Sequence, residues 1–223
     1  MNMEKLIHYK DLIGPEMFYS QSQEDYQLFT KYLNYRNGFF IELGAINGEF
    51  YSNTLFFEKY LGWNGILIEP TDHFFDLIKN RPNAKNYKFV ISEKEGSVEF
   101  IGANSRGHLA PMAGTKEDLS EKVLEEFKRY NSDKIDYIES VPLKKLLHGV
   151  KKVDFFSIDV EGGEYEVLTT YDWNIPVYLI LLEDNSRPEI MEKCRNFLRE
   201  KGMTYDGHLA HNEVWINKNF KHE

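Results

Sequence analysis

Phe40-Ile41-Glu42-Leu43-Gly44-Ala45-Ile46-Asn47-Gly48-Glu49-Phe50 decides how the chain is read. Its opening is apolar at successive positions, as in a strand covered on both faces. It closes on an acid, Glu42, and two glycines, Gly44 and Gly48. A buried strand needs neither, since an unpaired carboxylate is costly to desolvate and glycine loses extra backbone entropy. Both residue types therefore answer to something outside the strand.

Working outward, similar segments recur in alternation. Helical spacing is expected over residues 24–33, then a strand over 39–43, then a helix over 52–60 with Ser52 as its N-cap. A second buried strand follows at 65–69, a helix at 74–80, and strands at 87–91 and 97–101 around the Lys94-Glu95-Gly96 turn. Residues 102–115 have no period and read as a loop, and 116–129 as a charged helix with Leu119, Val123 and Phe127 on one face. Residues 153–159 and 177–182 are strands, 163–170 and 187–201 helices, and 203–217 a closing hairpin. Apolar strands alternating with helices predict an α/β fold: a mostly parallel, twisted sheet, helices on both faces, and a C-terminal antiparallel hairpin. The whole chain, 1–223, reads as a single domain, with an N-terminal helical segment over 1–35 and the core over 36–223.

Bulk properties narrow the function. A net charge of −9 argues against broad nucleic-acid binding, which needs a basic face. The single cysteine, Cys194, is expected to be a buried thiol in a reducing compartment. Residues 1–14 hold no signal-like apolar run, and no window approaches a membrane span, so the expected setting is cytoplasmic.

Ligands of open α/β sheets sit at the carboxyl ends of the strands. The residues expected there are Glu42, Gly44, Ala45 and Gly48 from the first strand, and Glu69 and Pro70 from the second. Ser92 comes from the third, Asp159 and Glu161 from the fourth, and Glu183 and Asp184 from the fifth. A dinucleotide fingerprint would need glycine where Glu42 stands, and a carboxylate there repels a pyrophosphate. Glu69 follows at about the spacing of a ribose-binding acid. A ligand with a ribose, a cationic centre and no phosphate satisfies both, and S-adenosylmethionine is such a ligand.

The stretch "FFIELGAINGEFYSNTLFFEKYLGWNGILIEP", with Arg81, "ISEKEGSVEF" and "FFSIDVEGGEYEVL", resembles the FkbM family of S-adenosylmethionine-dependent methyltransferases. "SNT" followed by "GWNGILIEP", and "IDVEGGE", are the most specific pieces. Gly163 and Ser157 depart from the family's usual alanine and lysine. The resemblance implies a Rossmann-like class I fold and O-methylation of a sugar hydroxyl on a glycan, glycoconjugate or related natural product. It also implies that Gln21, Gln23, Asp25 and Asn53 contact the cofactor. The chain would act alone or beside glycosyltransferase modules; the other class of reading is a non-catalytic module scaffolding glycan assembly.

Methyl transfer to a hydroxyl needs alignment and a proton acceptor. Asp159 and Glu161, two apart on an extended segment, are the first candidates for that base, and His211 the next. His211, Asn212 and Trp215 are together candidates for a sugar platform; His108 lies in the loop at 102–115. Alternatively, Asp159, Glu183 and Asp184 would hold Mg²⁺ and acidify a diol.

Overall fold

The computed structural model describes residues 14–184 and 187–222. Six α-helices run in order: α1 (Glu24–Lys31), α2 (Leu55–Leu61), α3 (Phe74–Asn80), α4 (Glu121–Arg129), α5 (Glu164–Thr170) and α6 (Pro188–Glu200). The strands are β1 (Phe39–Leu43), β2 (Asn64–Ile68), β3 (Lys85–Tyr87), β4 (Val90–Ile91), β5 (Gly96–Ile101) and β6 (Gly114–Thr115). They continue with β7 (Ile135–Val141), β8 (Val153–Ile158), β9 (Val177–Glu183), β10 (Thr204–Leu209) and β11 (Asn212–Ile216).

Seven strands form the main sheet in the order β10-β11-β9-β8-β1-β2-β3. From β9 to β3 the pairings are parallel, and β11 joins β9 antiparallel as one arm of the terminal hairpin. β1 lies centrally, with Glu42 opposite Leu67 of β2 and Ser157 of β8. The strand alternation sends Ile41, Leu43, Ile66, Phe156 and Ile180 to one face, where Val167 and Leu168 of α5 and Met191 and Leu198 of α6 cover them. Phe40, Leu67, Phe155 and Leu179 go to the other face, under Phe29 of α1, Phe56 and Phe57 of α2 and Leu77 of α3. Each such aromatic or leucine side chain, fully removed from water, contributes about 1.5–3 kcal/mol. Cys194 is buried on the α6 side, and burial pushes its thiol up to about 12.

Five expectations change. Residues 87–91 are not one strand: β3 ends at Tyr87, and after Lys88 and Phe89 the chain enters a second sheet, ordered β4-β7-β5-β6. β4 pairs parallel with β7, and β5 pairs antiparallel with it. β7 itself is unanticipated, because its side chains alternate between exposed and half-buried and give no apolar run. The expected loop at 102–115 carries a 3-10 turn over Gly107–Met112 and the short β6. α4 is shorter than 116–129 and is capped by Ser120, whose hydroxyl accepts from Val123 N. Helix α2 begins three residues after Ser52, with Thr54 at the N-cap position, yet Ser52 Oγ still accepts the Leu55 N–H at 3.1 Å. Of the N-terminal segment, residues 1–13 lie outside the described residues. Among the described residues no helix is long and apolar enough to cross a membrane.

Candidate functional site

The carboxyl ends of β1, β2, β8 and β9 open into a cavity of about 240 Å³, walled on one side by the second sheet through Val90, Phe100 and Thr115. Of the expected residues, Gln21, Glu42, Gly44, Asn53, Glu69, Pro70, Asp159, Glu161, Glu183 and His211 line it. Gly48, Ala45, Ser92 and Asp184 do not. Among the described residues no lysine or arginine lines the cavity.

Glu42 projects from β1 toward the start of α2. Its oxygens accept from Ser52 Oγ (2.9 Å), the Asn53 N–H (2.7 Å) and Thr54 Oγ1 (2.5 Å), and Arg81 Nη1 lies 3.9 Å away. Arg81, itself fully buried, also donates to Glu58 at 2.7 Å and to the Gly48 carbonyl at 2.9 Å. Burial raises the Glu42 carboxyl, with Arg81 and these donors opposing it. "SNT" is therefore a set of donors for Glu42, and Glu42 braces the cavity wall from within it. Asn53 reaches on to Ser157 Oγ at 3.0 Å.

The two glycines serve the protein's own packing. Gly44 sits at φ 75°, and a Cβ there would stand 2.0 Å from the Asp159 carbonyl oxygen. Gly48, at φ 80°, would collide with Arg81 and Leu77 side-chain carbons at 2.6 Å. The space beside Gly44 is taken by the end of β8 and that beside Gly48 by side chains of α3 and its C-cap, while Gly44 also lines the cavity.

Glu69 closes β2 and is buried. One carboxylate oxygen accepts the Ile46 N–H and the other the Thr71 N–H, each at 2.8 Å. The Thr71 hydroxyl adds a third hydrogen bond, and a carboxylate with about four acceptor positions still keeps one for a further donor. Burial raises this carboxyl too, against those hydrogen bonds.

Asp159, Glu161 and Glu183 bring their carboxylates within 4.8 Å of one another. Asp159 and Glu183 are hydrogen-bonded together, which requires a shared proton, and burial followed by the Glu183 charge holds Asp159 well above the usual carboxylate range. Glu183 is pushed up to about 7 and Glu161 to about 8, burial being the main cause for each and a neighbouring carboxylate the second. Glu183 Oε2 is buried without a hydrogen-bond partner among the described residues. Asp184 leaves this group: it faces Arg195 at 3.3 Å and clusters with His208 and Glu213, because successive residues at a strand end point apart.

Two further carboxylates complete the lining, Glu24 and Asp118. Sequence reading missed Asp118, which stands beside β6 with its carboxylate accepting from Thr115 Oγ1 at 2.5 Å. Asp25 is consumed at the start of α1, accepting from Tyr19 N and Ser20 Oγ, and Gln23 is exposed at the N-cap. Neither lines the cavity. Trp215 is no platform, since it is fully buried and donates to Glu213. His108 packs on Tyr130 and faces Glu126. His211 and Asn212 do reach the cavity.

Three non-glycine residues of the lining, Ile46 (φ 47°), Tyr51 (φ 59°) and Glu161 (φ 55°), occupy the left-handed region. Such strain, of order 1 kcal/mol or more for each, gathers where a site is held open.

A family model described as the methyltransferase FkbM domain matches residues 42–205. No curated protein matches the chain closely enough to count as a relative.

Proposed function

The chain belongs to the FkbM methyltransferase family, and on that premise we propose that it is an S-adenosylmethionine-dependent O-methyltransferase acting on a sugar hydroxyl of a glycan or glycoconjugate. The observation that carries the reading is Glu69. It is buried at the end of β2, held by two backbone donors, and keeps acceptor capacity toward the cavity. That is what binding a ribose diol asks for. The main-sheet order and the single antiparallel β11 support a Rossmann-like class I arrangement formed by one domain. A cytoplasmic setting and glycosyltransferase partners belong to the same reading.

When bound, S-adenosylmethionine supplies an electrophilic methyl group on a sulfonium whose departing electron pair stays on sulfur. The residues present fit this group: the lining is acidic, with no lysine or arginine among the described residues, and a ligand carrying one net positive charge suits it. Glu69 holds the ribose, and Gln21 and Asn53 are the amides available to the amino-acid end. Glu161 takes the acceptor's hydroxyl proton on a carboxylate oxygen as the new C–O bond forms. The Asp159–Glu183 pair beside it keeps the Glu161 carboxyl basic, which a weak nucleophile such as a sugar hydroxyl requires. His211, which also lines the cavity, would orient the acceptor.

A second reading rests on Glu183 Oε2, which is buried and unpartnered among the described residues. Asp159, Glu161 and Glu183 form a hard, oxygen-only donor set that would hold Mg²⁺, with Glu161 in the place expected for Asp184. The ion would acidify a bound hydroxyl.

Incubation with S-adenosyl-[methyl-¹³C]methionine and a glycan panel tests the proposal. Label recovered as an O-methyl ether supports it, and label found only on nitrogen or carbon contradicts it. Full activity after chelation with EDTA removes the Mg²⁺ reading.

A further inference from the structure

Seven acidic side chains and no lysine or arginine line the cavity among the described residues, and Tyr51 of that lining is followed back along the chain by a second exposed aromatic ring, Phe50. Phe50 is 47% exposed and Tyr51 38%, with ring centroids 3.7 Å apart. Tyr51 lines the cavity itself. Exposing two such rings side by side leaves apolar area in water, and Tyr51 also carries a left-handed φ of 59°. The turn is nevertheless firmly held. Asn47 Oδ1 accepts the N–H groups of Glu49 (3.1 Å) and Phe50 (2.8 Å), Asn80 of α3 donates to the Asn47 carbonyl at 2.9 Å, and Tyr51 bridges to Ser20. The rings are presented, not merely left over.

We propose that Phe50 and Tyr51 form the acceptor platform, on which the apolar face of an uncharged or amine-bearing pyranoside packs, and that phosphorylated and nucleotide-activated sugars are rejected. This rests on the methyltransferase reading above. A pyranose ring has a C–H face that matches an aromatic surface. Continuity of Tyr51 with the cavity places a ring lying there next to the cofactor position. The charge argument is independent of the stacking argument. Each phosphate brought in would meet acidic side chains and, among the described residues, no lysine or arginine to pair with it, since Arg81 is enclosed behind Glu42. An ammonium on the acceptor meets the opposite sign and is tolerated. The acceptor is therefore methylated after transfer from its activated donor, or as a free glycoside.

Saturation-transfer NMR on protein loaded with S-adenosylhomocysteine tests this. The probes are methyl glycosides of glucose, galactose, mannose, rhamnose and glucosamine, beside glucose phosphate and uridine-diphosphate glucose. At least one neutral or amino glycoside is expected to receive saturation, strongest on the C–H protons of one ring face. Phe50→Ala and Tyr51→Asn, the latter chosen because asparagine accepts the left-handed backbone, should each weaken that glycoside roughly three- to tenfold. Phe50→Ala should leave S-adenosylhomocysteine affinity within about twofold, a readout that a merely misfolded variant would not preserve. Preferred binding of either phosphate compound, an unchanged glycoside signal in both variants, or no signal from any glycoside overturns the proposal. Failure of S-adenosylhomocysteine to bind overturns the methyltransferase reading itself, and the platform falls with it.

Discussion

Arg81 Nη1 lies 3.9 Å from Glu42 Oε2, and both side chains are buried. The guanidinium ties the Gly48 turn, the start of α2 through Ser52 and Thr54, and Glu58 into one network behind the cavity. Breaking a buried pair leaves the partner charge without compensation. Arg81→Ala should therefore cost about 3–5 kcal/mol of stability, read from urea unfolding. Arg81→Lys should recover only part of this, because a single ammonium cannot serve the forked set of acceptors. Wild-type stability in both variants would contradict the network.

The cluster around Glu161 makes stability depend on pH with a definite sign. The Glu161 and Glu183 carboxyls sit at about 8 and about 7 in the folded protein, against 4.5 as the ordinary value. Between those limits the folded state binds more protons than the unfolded state, so stability falls as pH rises. The melting temperature should decline from about pH 5 to about pH 8, and Glu161→Gln should flatten that decline. If Glu161 is the base, methyl transfer should rise over the upper part of the same window, and Glu161→Gln should lower kcat by about 10²–10⁴.

The strand-end glycines should tolerate nothing larger. In Gly44→Ala the new methyl meets the Asp159 carbonyl, and the left-handed backbone adds its own penalty. A loss of roughly 2–4 kcal/mol is expected, from about 1–2 for the backbone and the remainder for overpacking. Gly149→Ala is the control, since that glycine shares a positive φ with open space around it. It should lose only the backbone part, about 1–2 kcal/mol. Equal losses at the two positions would sink the close-approach account.

Asp184 and Glu183 adjoin in sequence and should behave differently. Asp184→Asn loosens Arg195 but leaves the cavity intact. Its activity should stay within a few-fold of wild type, as for partly exposed ion pairs. Glu183→Gln removes the partner of Asp159 and should depress kcat by tenfold or more.

The sequence carried the main sheet because its strands are apolar on both faces, so β1, β2, β8 and β9 are legible within a residue or so. β7, "IDYIESV", was not, because an inner strand of a small sheet that is exposed on one face has no such run. The break between Tyr87 and Val90 was hidden for the opposite reason. Tyr87, Phe89, Val90 and Ile91 are β-prone across it, and only the tertiary pairing of β4 with β7 divides them. Glu69, Asp159 and Glu161 were readable as acids at strand ends. Asp118 was not, since it arrives from the second sheet. The roles of Gly44 and Gly48 could not be read either, because their neighbours, the Asp159 carbonyl and Arg81, are distant in sequence.

The most direct test is calorimetric titration of S-adenosylhomocysteine into the wild-type protein and into Glu69→Gln. An amide keeps the shape of Glu69 but offers one acceptor oxygen where the carboxylate has two, against the two backbone donors and a ribose diol. Binding to the wild type that weakens about tenfold or more in the variant is the predicted result. Absence of wild-type binding, with acceptor glycosides present or not, would contradict the assignment of this cavity to an S-adenosyl cofactor.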